Sequence, residues 1–286
     1  MYISLQKFLY EIYNFSSEWL FPKKIFRLII TIFHYIFFSH IPSKTKYTLN
    51  KKVKKYKKNE DCIVIANGPS AIDFDLSLIP INIDILTMNQ FALSKYSKKI
   101  KSNFHVVAEP SSQYNRKEYK DAIDISLKHD SYCYVVHPDL LLLDPNIKKD
   151  KSIYTLKYSL IQLCDFLFGD INLEKRMPLF KCSGSALIAL SISLGYKKIY
   201  VVGMDQDQLK NKEPINKNFH SGQEGEIASM KAKFRNYYER IFDKSKTIKG
   251  LLNLTKIAEA KGIRMYNLSY KKSFIDFWIP FNFKDL

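Results

Sequence analysis

Several polar stretches in this chain combine residue types suited to holding an anion and moving a proton. Asn67-Gly68-Pro69-Ser70 breaks directly out of the apolar run at 62–66. In such a turn the glycine admits φ above zero and close approach, and the proline fixes φ while giving up its N–H. The serine is a natural helix cap that leaves backbone donors pointing outward. An anion fits there, although a tight strand-to-helix turn without a ligand has the same composition. A second bend, Ser183-Gly184-Ser185, opens an apolar helical stretch that ends at Gly195, before a run closing on Asp205. Asn89 and Gln90 follow the run at 84–88, where their amides can reach a base or a sugar, or cap a helix. Asp205-Gln206-Asp207 spells the DxD pattern by which divalent metals are held on nucleotide diphosphates, but two acids at that spacing also arise readily by chance.

These residues need a scaffold that brings them to one place. Short apolar runs without strict alternation recur at 62–66, 84–88, 104–108, 132–136, 198–203 and 264–268, and continuous apolar strands are buried on both faces. Helical patterns lie between them, notably GSALIALSISLG at 184–195 and the long stretch from Glu226 to Gly262. The order is that of an α/β fold with a mostly parallel, Rossmann-like sheet flanked by helices. Ligands of such sheets sit at the carboxyl ends of the strands, where the polar residues above fall. The aromatic tail YNLSYKKSFIDFWIPFNF is expected to close the core through Phe274, Phe277, Trp278 and Phe281.

The totals narrow the partners. The chain has 286 residues, 46% of them hydrophobic, which is enough for a sizeable core. A formal charge of +17 favours an anionic partner such as phosphate, nucleic acid or an acidic membrane leaflet. No nucleic-acid-binding motif is present and the lysines concentrate outside the strands, so nucleic acid is not expected. Cys62, Cys133, Cys164 and Cys182 lie far apart with no CxxC pair and read as reduced core thiols.

Residues 1–58 differ in composition from the rest. An aromatic, apolar stretch is followed by KKVKKYKK, six lysines in eight residues. The apolar run at 28–38 is about half the length needed to span a bilayer, and no small-residue cleavage site follows it. The division expected is a basic amphipathic membrane-association segment at 1–58 and a catalytic domain at 59–286. The same segment could instead pack against the globular body or a second subunit, which leaves a homo-oligomer open.

Four pieces in order, ANGPS at 66–70, MNQF at 88–91, SGSALIALSISLGYKKIYVVGMD at 183–205 and the later lone His220, resemble the bacterial sialyltransferases of glycosyltransferase family 42. The resemblance covers roughly residues 60–270. It implies a Rossmann-like, glycosyltransferase A-like enzyme that takes an acidic sugar from a CMP carrier without a metal cofactor. The CMP site it implies comprises Asn67, Gly68, Pro69, Ser70, Asn89, Gln90, Ser183, Gly184, Ser185 and Asp205. Transfer to an alcohol requires removal of the acceptor proton, and a histidine near neutral pKa suits that step. His220, in the polar loop NKNFHSGQEGE, matches the family's proposed base. The other histidines lie in the amino-terminal segment (His34, His40), within a strand (His105) or beside one (His129, His137).

Two positions depart from the family pattern. Asp207 stands where the family has a tyrosine that assists the departing phosphate, and Glu109 where it has an asparagine before proline. Both approach the donor sugar, so sialic acid itself or a related acidic sugar such as Kdo, legionaminic or pseudaminic acid is expected. The implied acceptor is a cell-surface glycan or lipooligosaccharide, and the implied location is the inner face of a bacterial inner membrane. A competing enzymatic reading is a pyrophosphate transferase like 6-hydroxymethylpterin diphosphokinase, with Asp205 and Asp207 as magnesium ligands.

Overall fold

The structure is a computed structural model that describes residues 51–108, 121, 123–137, 152–156, 158–162, 171–173, 177–206 and 237–285. Eight strands form one sheet: β1 (Asp61–Ile65), β2 (Asp84–Met88), β3 (Ser102–Val107), β4 (Ser131–Val136), β5 (Ile153–Thr155), β8 (Lys198–Val202), β9 (Arg264–Asn267) and β10 (Ile279–Pro280). A separate parallel pair joins β6 (Tyr158–Gln162) to β7 (Met177–Leu179). The order in the large sheet is β10-β9-β8-β1-β2-β3-β4-β5, and each pairing is parallel. The chain lays strands outward from β1 in one direction, then returns to the other side of β1 with β8. The switch point therefore falls between β1 and β8, where open α/β sheets bind ligands.

Burial on both faces explains the unbroken apolar runs. Along β1, Cys62 and Val64 point to one core with Leu86, Phe104 and Val201. Ile63 and Ile65 point to the opposite core with Tyr200, Tyr266 and Phe283. Helix α1 (Ser183–Leu194) lies against β1, β2 and β3 and under helix α2 (Tyr237–Ala260). Every α1 residue except Ser193 is buried, so the helix is apolar all round rather than striped. It ends at Gly195, whose φ of 73° is the left-handed cap geometry. Helix α2 seals this layer with Leu251, Leu254 and Ala258, all fully buried and spaced along one helical face.

The six strands expected from the sequence are present with ends within two residues. The short β5, β6, β7 and β10 were not foreseen. In the tail, Trp278 is buried and its Nε1 donates to Thr255 Oγ1 at 2.8 Å, while Phe281 joins the rings of Tyr200 and Phe283. Phe277 is partly buried against the core, but Phe274 is 39% exposed rather than enclosed. Residues 1–50 lie outside the described residues. The lysine run that follows them is anchored to the sheet: a 3-10 helix, Lys51–Tyr56, buries Val53 completely. Beyond it the Lys58 amide and Asn59 Nδ2 donate to the buried Asp84 carboxylate at 2.8 and 2.9 Å.

Candidate active site at the carboxyl edge

Parallel pairing places the ends of β1, β2, β8 and β9 on one edge, and with them Asn67 to Ser70, Asn89, Gly203 to Gln206, and Ser269. What crowds the backbone at Gly68 is the chain's own β8 turn. A Cβ at Gly68 would lie 2.3 Å from the Gly203 carbonyl oxygen and 2.6 Å from Asp205 Oδ2. Gly68 itself has φ −71°, so close approach, not a left-handed backbone, requires glycine here. Across the contact, Gly203 has φ 76°, and a Cβ there would fall 2.5 Å from Ala66 O.

The loop after β1 is then locked from the other strands. The Gly68 amide donates to Gly203 O at 2.8 Å and the Ser70 amide to Asp205 Oδ2 at 2.8 Å. Ser70 Oγ donates its single proton to Asp205 Oδ1. It therefore accepts from Ser269 Oγ at 2.6 Å and from the Gly203 amide at 3.2 Å. Asp205 and Ser70 are 2% and 6% exposed, so this charge is held by internal donors.

This geometry revises the expected role of the first bend. Ser70 is not a helix cap with spare donors: the helix after Gly68 is a single 3-10 turn, Pro69–Ala71, with Gly68 as its N-cap. The amides of Gly68, Ser70, Ala71 and Ile72 are all bonded within the protein. Buried helix-start donors lie at the second bend. The Cys182 side chain caps no amide of α1, and Ser185 N turns back to Cys182 O. Ser183 and Gly184 occupy the first-turn positions whose amides have no acceptor within an α-helix. Close packing requires glycine at 184, because a Cβ there would meet Met204 Cε at 2.1 Å and its Sδ at 2.8 Å.

Asn89 links the bends to β2. It is 7% exposed, has the left-handed φ of 45°, and its Nδ2 donates to Ser183 Oγ at 3.0 Å. It begins a 3-10 helix, Asn89–Leu93, rather than capping one, and Gln90 beside it is half-buried. Two amide oxygens on this edge, Asn67 Oδ1 and Gln206 Oε1, are buried without a hydrogen-bond partner. Buried acceptors are normally satisfied, so these two oxygens call for a donor from outside the chain, a water or a ligand. Gln206 also has φ 52°, an uncommon conformation for a non-glycine residue that concentrates at functional sites.

The structure therefore gathers Asn67, Gly68, Pro69, Ser70, Asn89, Gln90, Ser183, Gly184, Ser185 and Asp205 at one edge. Sequence reasoning missed Ser269, Met204 and Gln206. Gln206 alone carried a signal, a bulky amide directly after a strand-end Gly-x-Asp. His220, Glu109 and Asp207 lie outside the described residues, as does Cys164. Cys62 and Cys133 are buried free thiols, both pushed up in pKa by burial, and Cys182 is half-buried. His105 is buried in β3 with Nδ1 2.8 Å from Thr87 Oγ1, and His129 has Nε2 3.1 Å from Ser102 Oγ, so both serve the core.

No protein-family model and no curated protein matches this chain. Among solved structures it is similar to the sialyltransferase CstII from Campylobacter jejuni in complex with the substrate analogue CMP-3FNeuAc. That match has 20% identity over 77% of this chain and 85% of the other, with a TM-score of 0.46. The same sialyltransferase with trisaccharide acceptor and CMP matches at 20% identity over 77% and 86%, TM-score 0.45. An alpha-2,3-sialyltransferase from Campylobacter jejuni in apo form matches at 19% identity over 84% of each chain, TM-score 0.43. These are bacterial sialyltransferases, the group that the four sequence pieces resemble. What they bind is a property of those proteins, and the assignment of this chain rests on its own residues.

Proposed function

We propose that this chain is a glycosyltransferase that moves an acidic sugar, sialic acid or a related ulosonic acid, from a CMP donor to a cell-surface glycan or lipooligosaccharide. The observation that carries the reading is the bond from Asn89 to Ser183 at the start of α1, on the same strand-end edge as the unpartnered oxygens of Asn67 and Gln206. A helix N-terminus favours a phosphate, and the Ser183 and Gly184 amides are the groups that would hold the single phosphate of CMP. The Asn67 and Gln206 oxygens suit an exocyclic amine or a sugar hydroxyl. Gly68, Pro69, Ser70 and Asp205 keep the site in shape rather than meeting the phosphate.

In this reading His220 takes the acceptor hydroxyl proton as that oxygen attacks the anomeric carbon, the bond to the CMP phosphate breaks, and CMP leaves. The resemblance assigns Glu109 and Asp207 to the donor sugar. No divalent metal takes part, and the enzyme works on the cytoplasmic face of the inner membrane, held there by its amino-terminal segment. Among the described residues no helix is long and apolar enough to cross a membrane.

A thermal-shift screen with CMP, UDP, GDP and ATP, each with and without Mg²⁺, tests the donor. CMP is expected to stabilise most and equally well in EDTA; a diphosphate or triphosphate that wins only with Mg²⁺ refutes the assignment. His220→Ala is expected to abolish transfer while keeping the CMP shift, and retained turnover removes His220 as the base.

A further inference from the structure

A cavity of about 460 Å³ opens at the end of the sheet opposite the candidate site. Its floor is apolar, formed by Ile171, Leu173, Ile192 and Ile263, all buried. Its rim carries Lys51, Lys54, Lys197 and Lys261, and no acid lines it among the described residues. Glu60 lies beside this rim, with Lys197 at 3.3 Å and Lys57 at 3.8 Å. Lys261 Nζ also donates to Ile171 O at 3.1 Å, which fixes that side chain across the mouth.

We propose that this cavity takes the phosphate headgroup of an anionic lipid and that the amino edge of the sheet faces the bilayer. Cationic rim and apolar floor together match an amphiphilic phosphate better than a small soluble one, which has nothing to place on the isoleucines and Leu173. The position along the chain fits this occupant. Lys51, on the rim, directly follows 50 residues that include LFPKKIFRLIITIFHYIFFSHI, an aromatic and apolar stretch of the composition that lies in a membrane interface. Five-residue strands then set the candidate nucleotide edge about 17 Å farther from the bilayer, open to water-borne donors. The inference rests on the membrane-facing part of the functional reading and is independent of the nucleotide part.

Flotation of the full chain with vesicles tests it. Phosphatidylcholine vesicles containing about one-third phosphatidylglycerol are compared with pure phosphatidylcholine. Binding is expected only to the anionic vesicles, and Lys54→Gln with Lys197→Gln should lower it about fivefold per lysine, with melting unchanged. The equal-charge control Lys95→Gln with Lys271→Gln, neither of which lines the cavity, should leave binding near the parent level. The proposal is overturned if the rim pair binds like the parent, or if the control pair loses as much. It is also overturned if glycerol phosphate raises the melting temperature while anionic vesicles capture nothing. The CMP shift, measured on the same samples, should be identical in all variants, so a failed nucleotide reading is seen separately.

Discussion

The Asp205 carboxylate binds Ser70 twice, receiving its amide on one oxygen and its hydroxyl on the other, across the junction of β1 and β8. This pair closes the switch-point crevice beneath the candidate site. Its disruption should therefore appear first as lost stability. Ser70→Ala is expected to lower unfolding free energy by about 1–3 kcal/mol, because buried donors and Asp205 Oδ1 lose their partner. Denaturant melts measure this. A variant that melts like the parent but has lost the CMP response would instead place Ser70 in direct contact with the ligand.

The two glycine bends should differ in tolerance. Alanine at position 68 collides with backbone at Gly203 O, which cannot move without displacing β8, so Gly68→Ala should leave little folded protein. Alanine at position 184 collides with the end of Met204, a flexible side chain that can turn aside. Gly184→Ala should fold and bind CMP more weakly, and Met204→Ala in the same chain should restore part of the folding loss. Equal destabilisation by the two alanines would contradict this geometry.

Asp84 anchors the amino edge. Its fully buried carboxylate accepts from the Lys58 amide, Asn59 and the Tyr196 hydroxyl, the last at 2.7 Å. Tyr196→Phe removes one donor and should destabilise by about 1–2 kcal/mol, whereas Asp84→Ala strands three donors and should cost at least twice that. Thermal melts rank the two, and the CMP shift of Tyr196→Phe should match the parent, since this tyrosine is at the far end of the strands.

Alkaline stability should fall in a defined window. Burial among Tyr266, Phe281 and Phe283 is the main cause that pushes Tyr200 up to about 12, from the ordinary 10.0. Tyr154 is likewise pushed up to about 12, again chiefly by burial. The folded state prefers the neutral phenol in each case, so the contribution is whole below pH 10 and is lost as pH rises from 10 through 12. Tyr200→Phe should flatten part of that decline in urea midpoints measured from pH 9 to about 12. An unchanged slope would show that Tyr200 ionises as freely in the fold as in the unfolded chain.

The sequence alone determined the layers and the edge. Continuous apolar runs separated by helical patterns can only be strands buried on both faces, and polar residues directly after such strands must collect on one side of a parallel sheet. The apolar α1 and the Gly195 stop were legible for the same local reason. What only the tertiary structure decided was the division of labour among the collected residues. Gly68, Ser70 and Asp205 read as ligand groups because their types suit an anion. Their partners, Gly203, Asp205 and Ser269, directly follow β8 and β9, 133 to 199 positions away in chain contacts that local pattern does not encode. Hydrogen-bond donors are spent or open according to such long-range neighbours. The first bend, whose amides meet carbonyl and carboxylate, became a lock, whereas Ser183 and Gly184 at the second begin a helix that supplies their amides no acceptor.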